Sequence, residues 1–222
     1  MTKLRDNENV AVLGAFLGVT ALISALVLSV VFKVTRGPVE AMQLQAVQSS
    51  LKMLNLPEFD NTPHKEEKRF TSPEGFKVTV MPVRKSGVLK AFAVRSVSPD
   101  GYAGEVEITA GFDLDGKILA VLVTRQQETP GLGSNVCERK FRKTIFNFYK
   151  PVPPGLPPNP ILDQFHNKIV PEKESWRVKR DGGTFDFITG ATITSRAVTA
   201  AVEQAGKTLQ QCKGEFMKGL RK

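Results

Sequence analysis

Between Val10 and Phe32 the chain runs without a charged residue, its most polar members being Thr20, Ser24 and Ser29. A helix rising about 1.5 Å per residue covers the roughly 30 Å hydrocarbon core of a bilayer with a stretch of this length. That dictates a transmembrane helix, preceded by a polar tail over residues 1–9. The rival reading is a cleaved signal peptide, but its apolar region is shorter and ends in an Ala-x-Ala-like site, which does not follow here. Gly14 and Gly18 make a GxxxG spacing that permits close helix packing, although small residues at that spacing are routine in membrane helices. Lys3 and Arg5 on one side and Lys33 and Arg36 on the other leave the positive-inside balance nearly even, so charge does not orient the span.

The remaining chain, 34–222, is long enough for one further domain with its own core. Gly37 and Pro38 are expected to break the membrane helix and start another, with Val39, Met42, Ala46, Val47, Leu51 and Leu54 on one face and Pro57 after its end. The Leu56–Pro63 stretch reads as a loop, its carboxylates Glu58 and Asp60 serving solvation rather than a metal. From Phe70 to Arg125 the pattern is β. Lys77–Pro82 and Val88–Val97 are short apolar runs, Ser98–Gly101 is a turn, and Val106, Ile108, Ala110 and Phe112 alternate before the Asp115-Gly116 turn and the return of Ile118–Val123. That is a hairpin with a buried face. Cys137–Tyr149 reads as a basic, aromatic helix with Phe141, Ile145 and Phe148 packed inward, Pro151–Pro160 as a stiff surface loop, Trp176–Arg180 as a strand and Asp181–Gly183 as a turn. The fold class is α+β: one N-terminal transmembrane helix, then one domain with a mainly antiparallel sheet and flanking helices.

A net charge of +9 raises the question of nucleic acid, but the basic residues are spread along the chain and form no recognisable binding motif. The densest run, Lys207, Lys213, Lys218, Arg221 and Lys222 against Glu215, is first a solvated helix face and second a contact for anionic lipid. Two cysteines, Cys137 and Cys212, cannot make a four-thiolate site, and the sequence holds no CxxC or HExxH, so no metal site is expected. In an exported domain the pair permits one disulfide; two unpaired thiols is the other reading.

Two stretches carry candidate chemistry. Asp186-Phe-Ile-Thr-Gly-Ala-Thr192 leads into a helical stripe of Val198, Ala201, Val202, Ala205, Leu209 and Cys212, so Thr192 falls at or just before a helix N-terminus, where free backbone N–H groups favour a phosphate. Gly190 lets the chain turn sharply and Ala191 leaves room beside the Thr192 hydroxyl. The plain alternative is that Thr192, Thr194 or Ser195 caps the helix and does no more. The second stretch, Glu128-Thr129-Pro130-Gly131-Leu132-Gly133, is a tight turn with Glu128 and Thr129 offering hydrogen-bonding groups at its rim; it is no dinucleotide fingerprint.

Asp186, Thr189, Gly190, Ala191 and Thr192 resemble the Asp-x-x-Ser/Thr-Gly-Ala-Thr motif of flavoprotein subunits that hold FMN by a phosphoester to the last threonine. The chain resembles the G subunits of the Rnf electron-transport complex, with the C subunits of the sodium-pumping NADH:quinone reductase as near relatives. Glu128–Gly133, Gly101-Tyr-Ala-Gly104 and the hairpin share the likeness. Many members carry a histidine ahead of the second stretch, where this chain has Gln126 and Gln127. The resemblance implies FMN on Thr192, installed from FAD by a separate transferase, with Asp186, Thr189, Gly190 and Ala191 shaping that site and Glu128, Thr129, Gly131, Leu132 and Gly133 lining the flavin. It further implies an inner-membrane protein whose domain faces the periplasm or cell exterior, partnered by other membrane subunits and the bilayer, relaying electrons with no residue acting as general acid or base. A membrane-anchored scaffold without redox function is the alternative from another class, and a nucleic-acid binder the third.

Overall fold

The computed structural model describes residues 3–141, 155–171 and 174–218. Helix α1 spans Lys3–Met53 without interruption, so Gly37 and Pro38 do not divide it. Pro38 removes one intrahelical bond, at a cost of roughly 3 kcal/mol. Good helix formers from Glu40 to Gln45 continue the ladder beyond it. The stretch Val10–Val39 within α1 is long and apolar enough to cross a membrane, and the protein is membrane-anchored. The chain divides into two compact units, 1–46 and 47–222. Of the stripe expected after Pro38, Leu51 and Leu54 are buried, while Val39 and Met42 are exposed.

In the second unit, five strands form a meander: β1 (Lys68–Thr71), β2 (Lys77–Lys85), β3 (Val88–Ser98), β4 (Val106–Phe112) and β5 (Ile118–Arg125). Every neighbouring pair is antiparallel, in the order β1-β2-β3-β4-β5. The expected hairpin is β4–β5, which places Ala110 opposite Val121. Because side chains alternate across a strand, each strand supplies two faces. Val78, Val80, Phe92, Val94, Ile108, Ala110, Phe112 and Val121 point to one core. Met81, Val83, Ala91, Ala93, Ala120 and Leu122 point to a second, smaller one closed by Leu51, Leu54 and Leu56.

Helix α4 (Thr192–Lys218) covers the first face. Its whole expected stripe, Val198 to Cys212, is buried there, and Phe216 extends it edge-on against Phe92. Two short helices, α2 (Gly133–Cys137) and α3 (Pro160–Asp163), close the end of the sheet. They are joined by buried Asn159, whose side chain accepts from Ile161 and Leu162 N and donates to the carbonyls of Val136 and Glu138. The expected helix from Cys137 is not there over Glu138–Phe141, which is irregular, and its remainder lies outside the described residues, as do positions 151–154 of the Pro-rich segment; 155–159 carry no helix or strand, and Pro160 opens α3. Both thiols are buried and unpaired.

Candidate functional site

Trp176–Arg180 is not a strand. Only Val178 pairs, in a single parallel bridge with Phe185, and Lys179–Asp181 turn as a 3-10 helix. Charged residues at three successive positions cannot share one buried face, and the chain instead turns at the surface so that each reaches a different partner. This turn, the loop after β5 and the connection from β3 to β4 all meet the N-terminus of α4.

The loop after β5 is closed by its own polar groups. Leu132 N and Ser134 N both donate to the Thr129 carbonyl, at 3.2 and 3.3 Å, and Gly131 N donates to Ser134 Oγ at 2.9 Å. Gln126 Oε1 accepts from Glu128 N. The sequence places Glu128 at the rim, but it is only 5% exposed and acts as a pillar. Its Oε2 accepts from Thr194 Oγ1 at 2.7 Å and its Oε1 from Ala103 N at 3.3 Å. One carboxylate thus ties three chain segments together. Gly133 passes so close that a Cβ there would lie 2.5 Å from Glu128 Oε2 and 2.7 Å from Thr194 Oγ1.

The entry to α4 is equally determined. Gly190 takes φ +86°, the left-handed region that favours glycine. Ala191 N then donates to Ile188 O, and Ser195 N starts the helical ladder by donating to Ala191 O. Ser195 Oγ donates to Ala191 O and accepts from Ile188 N. Thr194 and Ser195 therefore lie inside the first turn and do not cap it. Thr192 opens the helix, 7% exposed, and its Oγ1 accepts from Arg180 Nη1 at 3.1 Å.

Between these elements is a cavity of about 540 Å³. The loop gives it Glu128, Thr129, Leu132 and Gly133; the entry to α4 gives Gly190, Ala191, Thr192, Ile193, Thr194 and Arg196; Tyr102 and Arg180 complete it. Tyr102, Leu132 and Ile193 are well exposed and form an apolar rim. The opposite character sits at the helix end, where the first-turn amides and Arg180 favour an anion. Arg196 is held in two hydrogen bonds to the Asp181 carboxylate, 2.7 and 2.6 Å. Those bonds hold the Asp181 carboxyl below its usual range. Volume, apolar rim and anionic seat fit a flat aromatic group that carries a phosphate.

Seven residues expected at the site line this cavity: Glu128, Thr129, Leu132, Gly133, Gly190, Ala191 and Thr192. Three do not. Gly131 shapes the loop from behind, Thr189 stands in the turn before α4, and Asp186 faces solvent, paired with Lys179 Nζ at 2.5 Å. Arg180, Ile193, Thr194 and Arg196 line the cavity without having been expected there, and Tyr102, marked in the sequence only as part of the 101–104 likeness, joins them. The run Lys-Arg-Asp followed by two glycines is the signal that could have found Arg180, since a turn there brings one of its charges back beside the helix.

Comparison with known proteins agrees with this geometry. A family model described as an FMN-binding domain matches residues 101–207, which contain every element of the cavity. Fold and site together define the class: an FMN-binding domain carried behind a membrane-anchoring helix. The G subunit of the ion-translocating oxidoreductase complex of Vibrio parahaemolyticus is 37% identical over 187 residues, covering 80% of each chain. The G subunit from Haemophilus influenzae is 31% identical over 192 residues, covering 83% of each. The chain belongs to the family of ion-translocating oxidoreductase complex G subunits.

Proposed function

We propose that this chain is the FMN-carrying, electron-transferring subunit of an ion-translocating oxidoreductase complex, with the flavin attached through its phosphate to Thr192. The observation that carries the reading is the Thr192 hydroxyl, which opens α4, lines the cavity and touches a guanidinium. FMN supplies one- and two-electron redox chemistry, and attachment through phosphate leaves its ring free for tuning by hydrogen bonds and burial. The chain's own residues hold and orient. Glu128 fixes loop to helix, Gly133 and Ala191 keep the space open, and Tyr102, Leu132 and Ile193 offer apolar surface at the mouth.

Threonine is a weak nucleophile, and no group contacting Thr192 Oγ1 among the described residues is a base. The attachment therefore falls to a separate transferase: the Thr192 oxygen bonds to the FMN phosphorus of FAD, the pyrophosphate bond breaks, AMP leaves, and the hydroxyl proton passes to a base on the transferase. The apolar helix and the family resemblance support an inner-membrane location with the domain on the periplasmic side, beside other subunits of the complex and the lipid surface. Intact-mass measurement after co-expression with the transferase tests the reading. Wild type gains the mass of FMN minus water and Thr192→Ala gains nothing; a labelled Thr192→Ala chain, or an unlabelled wild type, overturns it.

A further inference from the structure

We propose that Arg180 is the residue that neutralises and positions the phosphoryl group at Thr192, and that the Lys179–Asp181 turn is built to hold it there. This rests on the assignment of FMN to Thr192.

The turn's three side chains diverge to three partners. Lys179 Nζ pairs with Asp186 Oδ1 at 2.5 Å, Arg180 Nη1 donates to Thr192 Oγ1 at 3.1 Å, and Asp181 accepts two bonds from Arg196 in the first turn of α4. The outer two pairs are anchors on either side of the middle residue. One reaches back to the segment that precedes Gly190, the other forward to the helix itself. The backbone beneath is fixed as well, for Lys179 N donates to Phe185 O at 2.7 Å and Gly183 N to Val178 O at 3.1 Å. Arg180 is thereby suspended over Thr192 from a support tied to both ends of the motif.

Charge separates its role from that of its neighbours. Lys179 and Arg196 each face a carboxylate, whereas among the described residues Arg180 makes no ion pair. A phosphodiester is a monoanion, and a guanidinium meets its oxygens with paired, directed donors. One N–H of Arg180 lies on the atom that would carry the phosphorus, leaving others for the oxygens beyond it. The same arrangement assigns Asp186 a different task from direct flavin contact. It acts through Lys179, as a positioning residue, from outside the cavity.

The test uses the full-length chain with its transferase and FAD, comparing wild type, Arg180→Gln and Arg180→Lys. The readouts are the rate of mass gain, the ³¹P resonance of the loaded protein, and the unfolding midpoint before loading. Loss of one charge-assisted contact predicts attachment slowed about tenfold in Arg180→Gln. Its ³¹P resonance moves, Arg180→Lys restores most of the rate, and the unloaded midpoints agree, because Arg180 is an exposed residue. If Arg180→Gln matches wild type in rate and resonance, or Arg180→Lys recovers nothing, the inference fails while the reading of Thr192 stands. If wild type itself takes up no flavin, the reading fails and carries this inference with it.

Discussion

Through its one carboxylate Glu128 joins its own loop to Ala103 N and Thr194 Oγ1, so its removal is felt in three segments at once. Sequence reasoning marks Glu128 and Thr194 separately, one as a rim group and one as a cap, because nothing in the chain announces a contact across 66 positions. Gly133 is legible only as a loop glycine; the reason for it is the carboxylate beside it. Gly133→Ala would push its methyl into Glu128 and Thr194, an overpacking whose usual cost is about 1–3 kcal/mol. We expect a lower urea midpoint and weaker FMN loading from Gly133→Ala, with Gly131→Ala milder in its effect on loading since it does not line the cavity. Equal loading by wild type and Gly133→Ala would show that the loop can yield without disturbing the site.

Among the elements, those with strict periodicity are readable in advance. The β4–β5 hairpin and the α4 stripe are as the alternation and the 3.6-residue spacing dictate, since each buries one face against the other. Elements set by local breakers are not: Pro38 reads as a helix end yet lies inside one, and 176–180 reads as a strand although only one of its residues pairs. The thiols belong to this scale because each is sealed by its helix. Burial pushes Cys137 up to about 12, helped by the charges of Glu128 and Glu138, and burial pushes Cys212 up to about 11. Both shifts raise the folded value above the unfolded 9.0. The folded state therefore holds these protons more tightly. Their contribution to stability is complete below pH 9 and is lost as pH rises through 11 to 12. Thermal midpoints should accordingly decline above pH 9, and the decline should shrink in Cys137→Ala/Cys212→Ala. Neither thiol should react with iodoacetamide at pH 8 until the protein is unfolded.

For the molecule as a whole, the sheet is buried on both faces, and the two covers come from opposite ends of the chain. α4 closes the larger core from the C-terminal side, while Leu51, Leu54 and Leu56 close the smaller one from the end of the segment that begins as a membrane helix. That second cover can be glimpsed in β2, where Val78 and Val80 alternate with Met81 and Val83 rather than with charges. It cannot be bounded from the sequence, because one unbroken helix carries both the membrane stretch and the cover. The domain's physical start is therefore expected near Val47 rather than at residue 34 or at Pro57. A chain beginning at Val47 keeps both cores and should be soluble, folded and able to accept FMN. One beginning at Pro57 loses three buried or half-buried leucines, each worth about 1.5–3 kcal/mol of burial. That loss is comparable to the entire stability of a typical domain, and it exposes Met81, Val83, Ala91 and Ala93 on an open sheet face. Size-exclusion chromatography and urea unfolding of the two truncations decide the matter. A Pro57 chain as soluble and as stable as the Val47 chain would mean that the smaller core contributes nothing, and that the end of α1 is a spacer rather than part of the fold.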